Sequence, residues 1–416
     1  MKPRTRRDFV RDSLKLFTLG LTAPQFLLKT VRGESLASLI GSNKILVVIQ
    51  LSGGNDGVNT IIPYGDGAYY DARPTTGIGI PDTTVLKIDS KLGFHPGLVK
   101  LKELYDQKKV AIINGAGYPN QSRSHFRGME IWHTADPVNV AKNGWLGKFF
   151  DLTAAQASNP LKGINYGDQL PKAFNCDHCS IPAISNLNNY QVVTDSRFPA
   201  DRTAKLQTIE AINSEIPVDK PFAGLLHSAA TDALYSSEAL KTVTQNYQTT
   251  VQYPNTGLAN GLKFISQVIN ANFGTKVFYI STGGYDTHAT QGGTTGAHNT
   301  LHTNFANAVE AFHRDLVEHG KSADVLMMVF SEFGRRVRAN GSNGTDHGAA
   351  GPMFLIGDAV RGGLYEDYPS LTDLDSNKDL KMRVDFRSIY AEVLEKWLDA
   401  DSKAILGAAY SFENFL

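Results

Sequence analysis

The sequence predicts an α/β protein, a doubly wound, mostly parallel sheet with helices on both faces. Three observations carry this. Apolar runs such as KILVVIQL (44–51) and VLMMVFS (325–331) are continuous, as in strands buried on both faces. These runs alternate with segments of helical spacing, the pattern of a layered α/β unit. Three of them end in polar, glycine-containing clusters, SGGNDG, GGYDTHA and EFGRR, where ligands sit in open α/β sheets.

In chain order, residues 44–51 read as the first strand. The Gly-, Pro-, Asp- and Tyr-rich stretch 64–95 reads as loop. His95-Pro96-Gly97 opens a helix through Leu98, Leu101 and Leu104. Val110–Ile113 is a second strand, running into Asn114-Gly115-Ala116-Gly117. YPNQSR leads to a helix from Ser124, with Phe126, Met129, Ile131 and Trp132 as its apolar residues. Residues 150–270 are rich in Asn, Ser, Thr, Gln and Ala, with a polar helical stretch from about 199 to 252. They read as an insertion or cap within one α/β domain spanning 43–416. A strand at 276–282 then precedes a helix from about Leu301, with Leu301, Phe305, Val309, Phe312 and Leu316 at helical spacing and Gly320 at its end. Strands at 324–331 and 353–357 follow, and FRSIYAEVLEKWL closes the fold.

Composition excludes some classes. Lys+Arg and Asp+Glu both number 41 in 416 residues, and no basic stripe supports nucleic-acid binding. Thr5-Arg6-Arg7-Asp8-Phe9-Val10-Arg11 resembles the twin-arginine export motif. The apolar stretch Leu16 to Leu28, broken by Pro24 and Gln25, is too short for a stable membrane span and reads as a signal h-region. Ser35-Leu36-Ala37 offers a cleavage site. Residues 1–37 are therefore expected to be a signal peptide. The chain is expected in the periplasm or otherwise exported, with the twin-arginine machinery as a partner. The alternative is an ordinary basic amphipathic N-terminus; the order of charge, motif and apolar run favours export. The two cysteines, Cys176 and Cys179, could form a redox pair, half a zinc site or a local disulfide. In an exported protein the small disulfide is favoured.

The clusters past the strands supply candidate metal ligands. Asp286 and His288 share a face of extended chain, so both reach one ion. Glu332 and His347 come from the next strand–loop unit, and Asp56 follows the glycine turn Gly53-Gly54. Each has a structural alternative, Asp56 as a turn residue among them. Their recurrence after separate strands points to a divalent-metal site. Ser124, where a helix begins, is either an N-cap or a nucleophile facing an anion-friendly helix end. Arg123, His125 and Arg127 surround it, and Arg recognises oxyanions in bidentate fashion.

With these residues in place, the chain resembles a known family. The twin-arginine start, LSGGNDGVNTIIPYGD, GYPNQSRSHFRGMEIWHTA, GGYDTHA, FSEFGRR and GTDHGAAGPMFLIG look like the exported bacterial family called domain of unknown function 1501, placed in the alkaline phosphatase/sulfatase superfamily. The resemblance implies a doubly wound sheet, usually two metal ions (zinc, calcium or magnesium), and a nucleophile starting a helix. It implies Asp56 as the first-strand ligand, Ser124 as nucleophile, and Asp286, His288 and His347 as further ligands. Two departures stand out. The spacing is D-T-H where the superfamily has D-x-x-x-H, and Phe333 follows Glu332 where a second ligand is usual. They point to a weakly held or missing second ion. The reading that follows is an exported metal-dependent hydrolase of small anionic phosphate or sulfate esters. Its rival is a non-catalytic exported protein that keeps the fold for binding or surface assembly. Gly53-Gly54-Asn55-Asp56 also mimics the G-x-N-D block of SGNH-type esterases, but no G-D-S block precedes it.

Overall fold

The computed structural model describes residues 43–153, 159–186, 199–215, 236, 240 and 246–416. The expected signal peptide, with Arg6 and Arg7, lies outside them. No helix among the described residues is long and apolar enough to cross a membrane.

Eight strands build the main sheet: β1 (Ile45–Leu51), β2 (Val110–Gly117), β3 (Gly163–Tyr166), β4 (Val277–Thr282), β5 (Val325–Phe330), β6 (Gly351–Ile356), β7 (Gly363–Tyr365) and β8 (Val384–Asp385). Their order is β7-β2-β6-β5-β1-β4-β3, with β8 also beside β2. Every pairing is parallel except those of β6, which runs antiparallel to both β5 and β2. The expected mostly parallel α/β sheet is therefore what the chain forms.

β1 is the central strand. Its side chains alternate: Val47, Ile49 and Leu51 enter one core, Leu46 and Val48 the other. Helices α1 (Val99–Asp106), α4 (Gly257–Ala271) and α5 (Ala297–Glu318) cover the first face through Leu101, Ile265 and Phe305. Helices α2 (His125–Thr134), α3 (Trp145–Leu152) and α6 (Phe386–Glu392) cover the second. Trp132 fixes α2 to the sheet by stacking on Phe330 at 5.1 Å and Phe386 at 4.3 Å between ring centroids. Truncating such a buried aromatic costs about 3–5 kcal/mol.

Three expectations need correction. Phe126, expected on the apolar face of α2, is 85% exposed, because that face is formed by Ile131 and Trp132 a turn or more further on. α5 begins at Ala297, a turn earlier than the apolar residues suggest, because His298 and His302 also face inward. The segment 150–270 is not a separate insertion throughout: β3 extends the main sheet beside β4, and α4 is one of its covering helices. A four-residue strand gives little sequence signal. The favoured disulfide between Cys176 and Cys179 is present. Asp151 lies beside it and accepts the amide N–H groups of Asp177 and His178 at 2.8 and 2.9 Å. With both sulfurs bonded to each other, this trio offers no thiolate to a metal.

Candidate metal centre

The register of the sheet places the site. Leu51 pairs with Thr282, and Gln50 with Phe330, so β1, β4 and β5 end side by side. The loops beyond them meet at once. Gly53 has φ 122°, and a Cβ there would sit 2.4 Å from the Asp286 amide nitrogen. Only glycine permits this approach. Arg335, 1% exposed, ties the loops together. It donates to the carbonyls of Gly54 and Thr345, both at 2.7 Å, to that of Gly53, and to Asp286 Oδ1.

Four side chains converge here. Asp286 Oδ1 lies 3.1 Å from His288 Nε2 and 3.2 Å from His347 Nε2. The two Nε2 atoms are 2.9 Å apart. His125 Nε2 is 3.5 Å from Asp286 Oδ2. The hydrogen-bond network assigns one tautomer. His347 Nδ1 meets the Arg123 carbonyl oxygen at 2.7 Å, and His125 Nδ1 meets Glu332 Oε1 at 2.9 Å. A carbonyl only accepts, so His347 Nδ1 carries the hydrogen and its Nε2 presents a lone pair, while the Glu332 contact turns the His125 ring so that its Nε2 faces Asp286. This is how metal-ligating histidines are oriented.

The donor set fits a metal. Ligands at 2.0–2.1 Å in a tetrahedron stand about 3.3 Å from one another. His125, Asp286 and His347 each offer a ligand atom within 4.8 Å of the others, and His288 Nε2 stands 3.1 Å from Asp286 Oδ1 and 2.9 Å from His347 Nε2 beside them. Three imidazoles and one carboxylate suit zinc better than calcium or magnesium, which take oxygen ligands. The protonation states agree. Burial raises the Asp286 carboxyl, but the Arg335 guanidinium and the His347 ring outweigh it and hold it at about 2. Burial pushes the His347 imidazole below its usual range, keeping it neutral.

The other candidates occupy different positions. Glu332 is fully buried behind His125, where Oε1 also accepts the Gly53 amide at 2.9 Å; it orients the ring and is one imidazole removed from the convergence point. Asp56 is fully buried outside the cluster. Its Oδ2 takes Arg73 Nη1 at 2.5 Å and Gln291 Nε2 at 2.6 Å, while Oδ1 has no partner among the described residues. Arg73 also donates to the carbonyls of Val337 and Arg336. Asp56 is thus neutralised by a guanidinium. Ser124 occupies the N-cap position of α2, but its side chain makes no capping hydrogen bond and is exposed. Arg127 points away, bonding Glu130 and the carbonyls of Pro137 and Asn139. Phe333 packs its ring over His125 and His347, with centroids 4.9 and 4.7 Å apart.

Sequence reasoning placed His125 beside the nucleophile; the structure places it among the donors. The available signal was its position at a helix start just past β2. Arg73, Gln291 and Arg335 were missed. Arg335 in a GRR stretch resembles a solvated basic pair, and nothing local marks it as buried.

A search of curated proteins found no match. Among solved structures, the PsFucS1 sulfatase from Pseudoalteromonas sp. is 12% identical over 93% of this chain and 72% of that one, with a TM-score of 0.38. A protein in the alkaline phosphatase superfamily from Vibrio parahaemolyticus is 11% identical over 79% and 63%, with a TM-score of 0.36. The alkaline phosphatase from the Antarctic bacterium TAB5 is 10% identical over 78% and 95%, with a TM-score of 0.32. The family model described as "Protein of unknown function (DUF1501)" matches residues 107–406, and the chain belongs to that family.

Proposed function

We propose that the protein is an exported, metal-dependent hydrolase of phosphate or sulfate esters with Ser124 as its nucleophile. The observation that supports this reading best is the convergence of Asp286, His125, His288 and His347 beside the start of α2. These side chains would hold a divalent ion, which would supply Lewis-acid stabilisation of oxyanion charge. Ser124 precedes His125 directly. Its hydroxyl makes no competing capping bond, and the N-terminus of the ten-residue α2 favours anionic groups. In this reading the Ser124 hydroxyl gives its proton to solvent and Oγ bonds to phosphorus or sulfur as the ester oxygen leaves, taking a proton from water; a second water then cleaves the seryl ester, and the N-terminus of α2 offsets the charge of the transferring group. Glu332 holds the His125 ring, and Arg335 holds Asp286 ionised.

The test is turnover of aryl phosphate and aryl sulfate by the full metal-replete chain, with a chelated sample and Ser124→Ala as controls. Turnover lost in both controls supports the proposal. No turnover of either ester by metal-loaded protein counts against it.

One observation favours the rival reading of a non-catalytic exported binding protein. Asp56, expected to hold a second ion, is paired with Arg73 instead. Metal-loaded protein without ester turnover is the result that reading expects.

A further inference from the structure

Beside the metal centre, the guanidiniums of two arginines make no hydrogen bond among the described residues. Arg123 is joined to His347 through its carbonyl, and the Arg336 amide donates to the carbonyl of Asp346, the residue before His347. Both guanidiniums flank one carboxylate, Asp379, which is 1% exposed. Arg123 Nη1 is 3.8 Å from Asp379 Oδ2, and Arg336 Nε is 3.6 Å from Asp379 Oδ1. Both distances exceed hydrogen-bond length. Asp379 Oδ1 and Arg336 Nε are buried atoms without partners, and neither guanidinium makes a side-chain hydrogen bond among the described residues. Asp379 itself is fixed through its backbone, its amide donating to Asp375 Oδ1 at 2.9 Å. The arrangement is a buried carboxylate between two guanidiniums, 37% and 36% exposed, whose outer N–H groups no protein acceptor takes up. The Asp375 and Asp346 carboxylates also lie within the field of this group, so what the site offers an oxyanion is open N–H donors on two planar cations.

We infer that Arg123 and Arg336, backed by Asp379, form an oxyanion site of their own beside the metal centre. It receives a sulfate-, phosphate- or carboxylate-type group other than the one presented to the metal donors. Resting on the hydrolase reading above, this makes the substrate an ester anionic at two points. Arg336 is then a specificity-determining residue and Asp379 a positioning residue.

The experiment titrates inorganic sulfate into the full metal-loaded protein by calorimetry, at constant ionic strength held with chloride. Wild type, Arg336→Gln, Arg336→Lys and His288→Ala are compared. The expected result is sulfate binding that persists in His288→Ala and weakens about 10- to 100-fold in Arg336→Gln, the range for losing hydrogen bonds to a charged group. Arg336→Lys falls between, because it keeps charge and loses the planar fork. Arg336→Gln/Asp379→Asn removes both charges, and weak sulfate binding by this folded double variant shows that the loss is not one of folding. Equal affinity in wild type and Arg336→Gln overturns the inference. So does binding that disappears in His288→Ala and survives in Arg336→Gln, because the anion then sits on the metal. Sulfate binding with the expected pattern but no ester turnover leaves this site standing and removes only the hydrolase reading.

Discussion

His288 Nε2 lies 2.9 Å from His347 Nε2, and both nitrogens face the same oxygen of Asp286. The hydrogen on His347 Nδ1 is fixed by the Arg123 carbonyl, so its Nε2 is a lone pair. Two imidazole nitrogens come this close when a proton or a cation lies between them. The neighbouring carboxylate favours a cation.

Asp286→Ala and His288→Ala each remove a donor from the convergence point. Both variants are expected to lose bound metal and, with it, the stabilisation that a native-only ligand confers by mass action. Elemental analysis and thermal unfolding, with and without added zinc, check this. Wild type should gain stability on zinc addition and the variants should not. Full metal content in both variants would show that these residues are structural.

Ser124→Ala separates capping from catalysis. A functioning serine cap is worth about 1 kcal/mol. Ser124 makes no capping bond, so the expected stability change in urea unfolding is smaller, under about 0.5 kcal/mol. Ester turnover is expected to fall by orders of magnitude with metal content retained. A stable, fully active Ser124→Ala protein removes Ser124 from the mechanism.

Acid is expected to destabilise the fold from the inside. Burial lowers His95 and His133 to about 4, and it pushes His298 and His302 well below the usual histidine range. Their folded forms are neutral, while the unfolded chain binds protons below its histidine pKa of about 6.5. The stabilisation is therefore present above that value and is lost as pH falls toward 4. At pH 5, His95 and His133 each contribute a loss on the order of 2 kcal/mol. Urea midpoints at pH 7 and pH 5, measured with a chelator so that metal release plays no part, should drop clearly. A midpoint unchanged across this window would contradict the buried neutral histidines.

The Cys176–Cys179 disulfide closes a very short loop, so its chain-entropy contribution is small, about 2 kcal/mol. Cys179→Ser should lower stability by that order, and thiol labelling of the native wild type should find no free cysteine. A reactive thiol in the native oxidised chain would contradict this pairing.

The strands were legible because β1, β4 and β5 are buried on both faces and so read as unbroken apolar runs. Their parallel register then brings the three polar loops together, which is why Asp286, His288 and His347 could be grouped from sequence. The environment of Asp56 could not be read this way. Its partner Arg73 is 17 residues away, capping the C-terminus of the short helix Gly67–Ala72, and burial of that pair depends on contacts from Val337 and Gln291. β3 was hidden by its length, and Phe126 misled because an apolar side chain at helical spacing need not be covered. Glu332 was visible as a carboxylate at a strand end. Its place behind His125 depends on the long-range contact between α2 and β5, which no local pattern encodes.

The most direct test of the central claim is elemental analysis of the protein after zinc loading and dialysis, set beside His125→Ala and Asp56→Ala. The account predicts a single bound zinc per chain, lost in His125→Ala and kept in Asp56→Ala, because His125 belongs to the donor set and Asp56 belongs to Arg73. No stoichiometric metal in the wild type, or metal lost in Asp56→Ala and retained in His125→Ala, would contradict it.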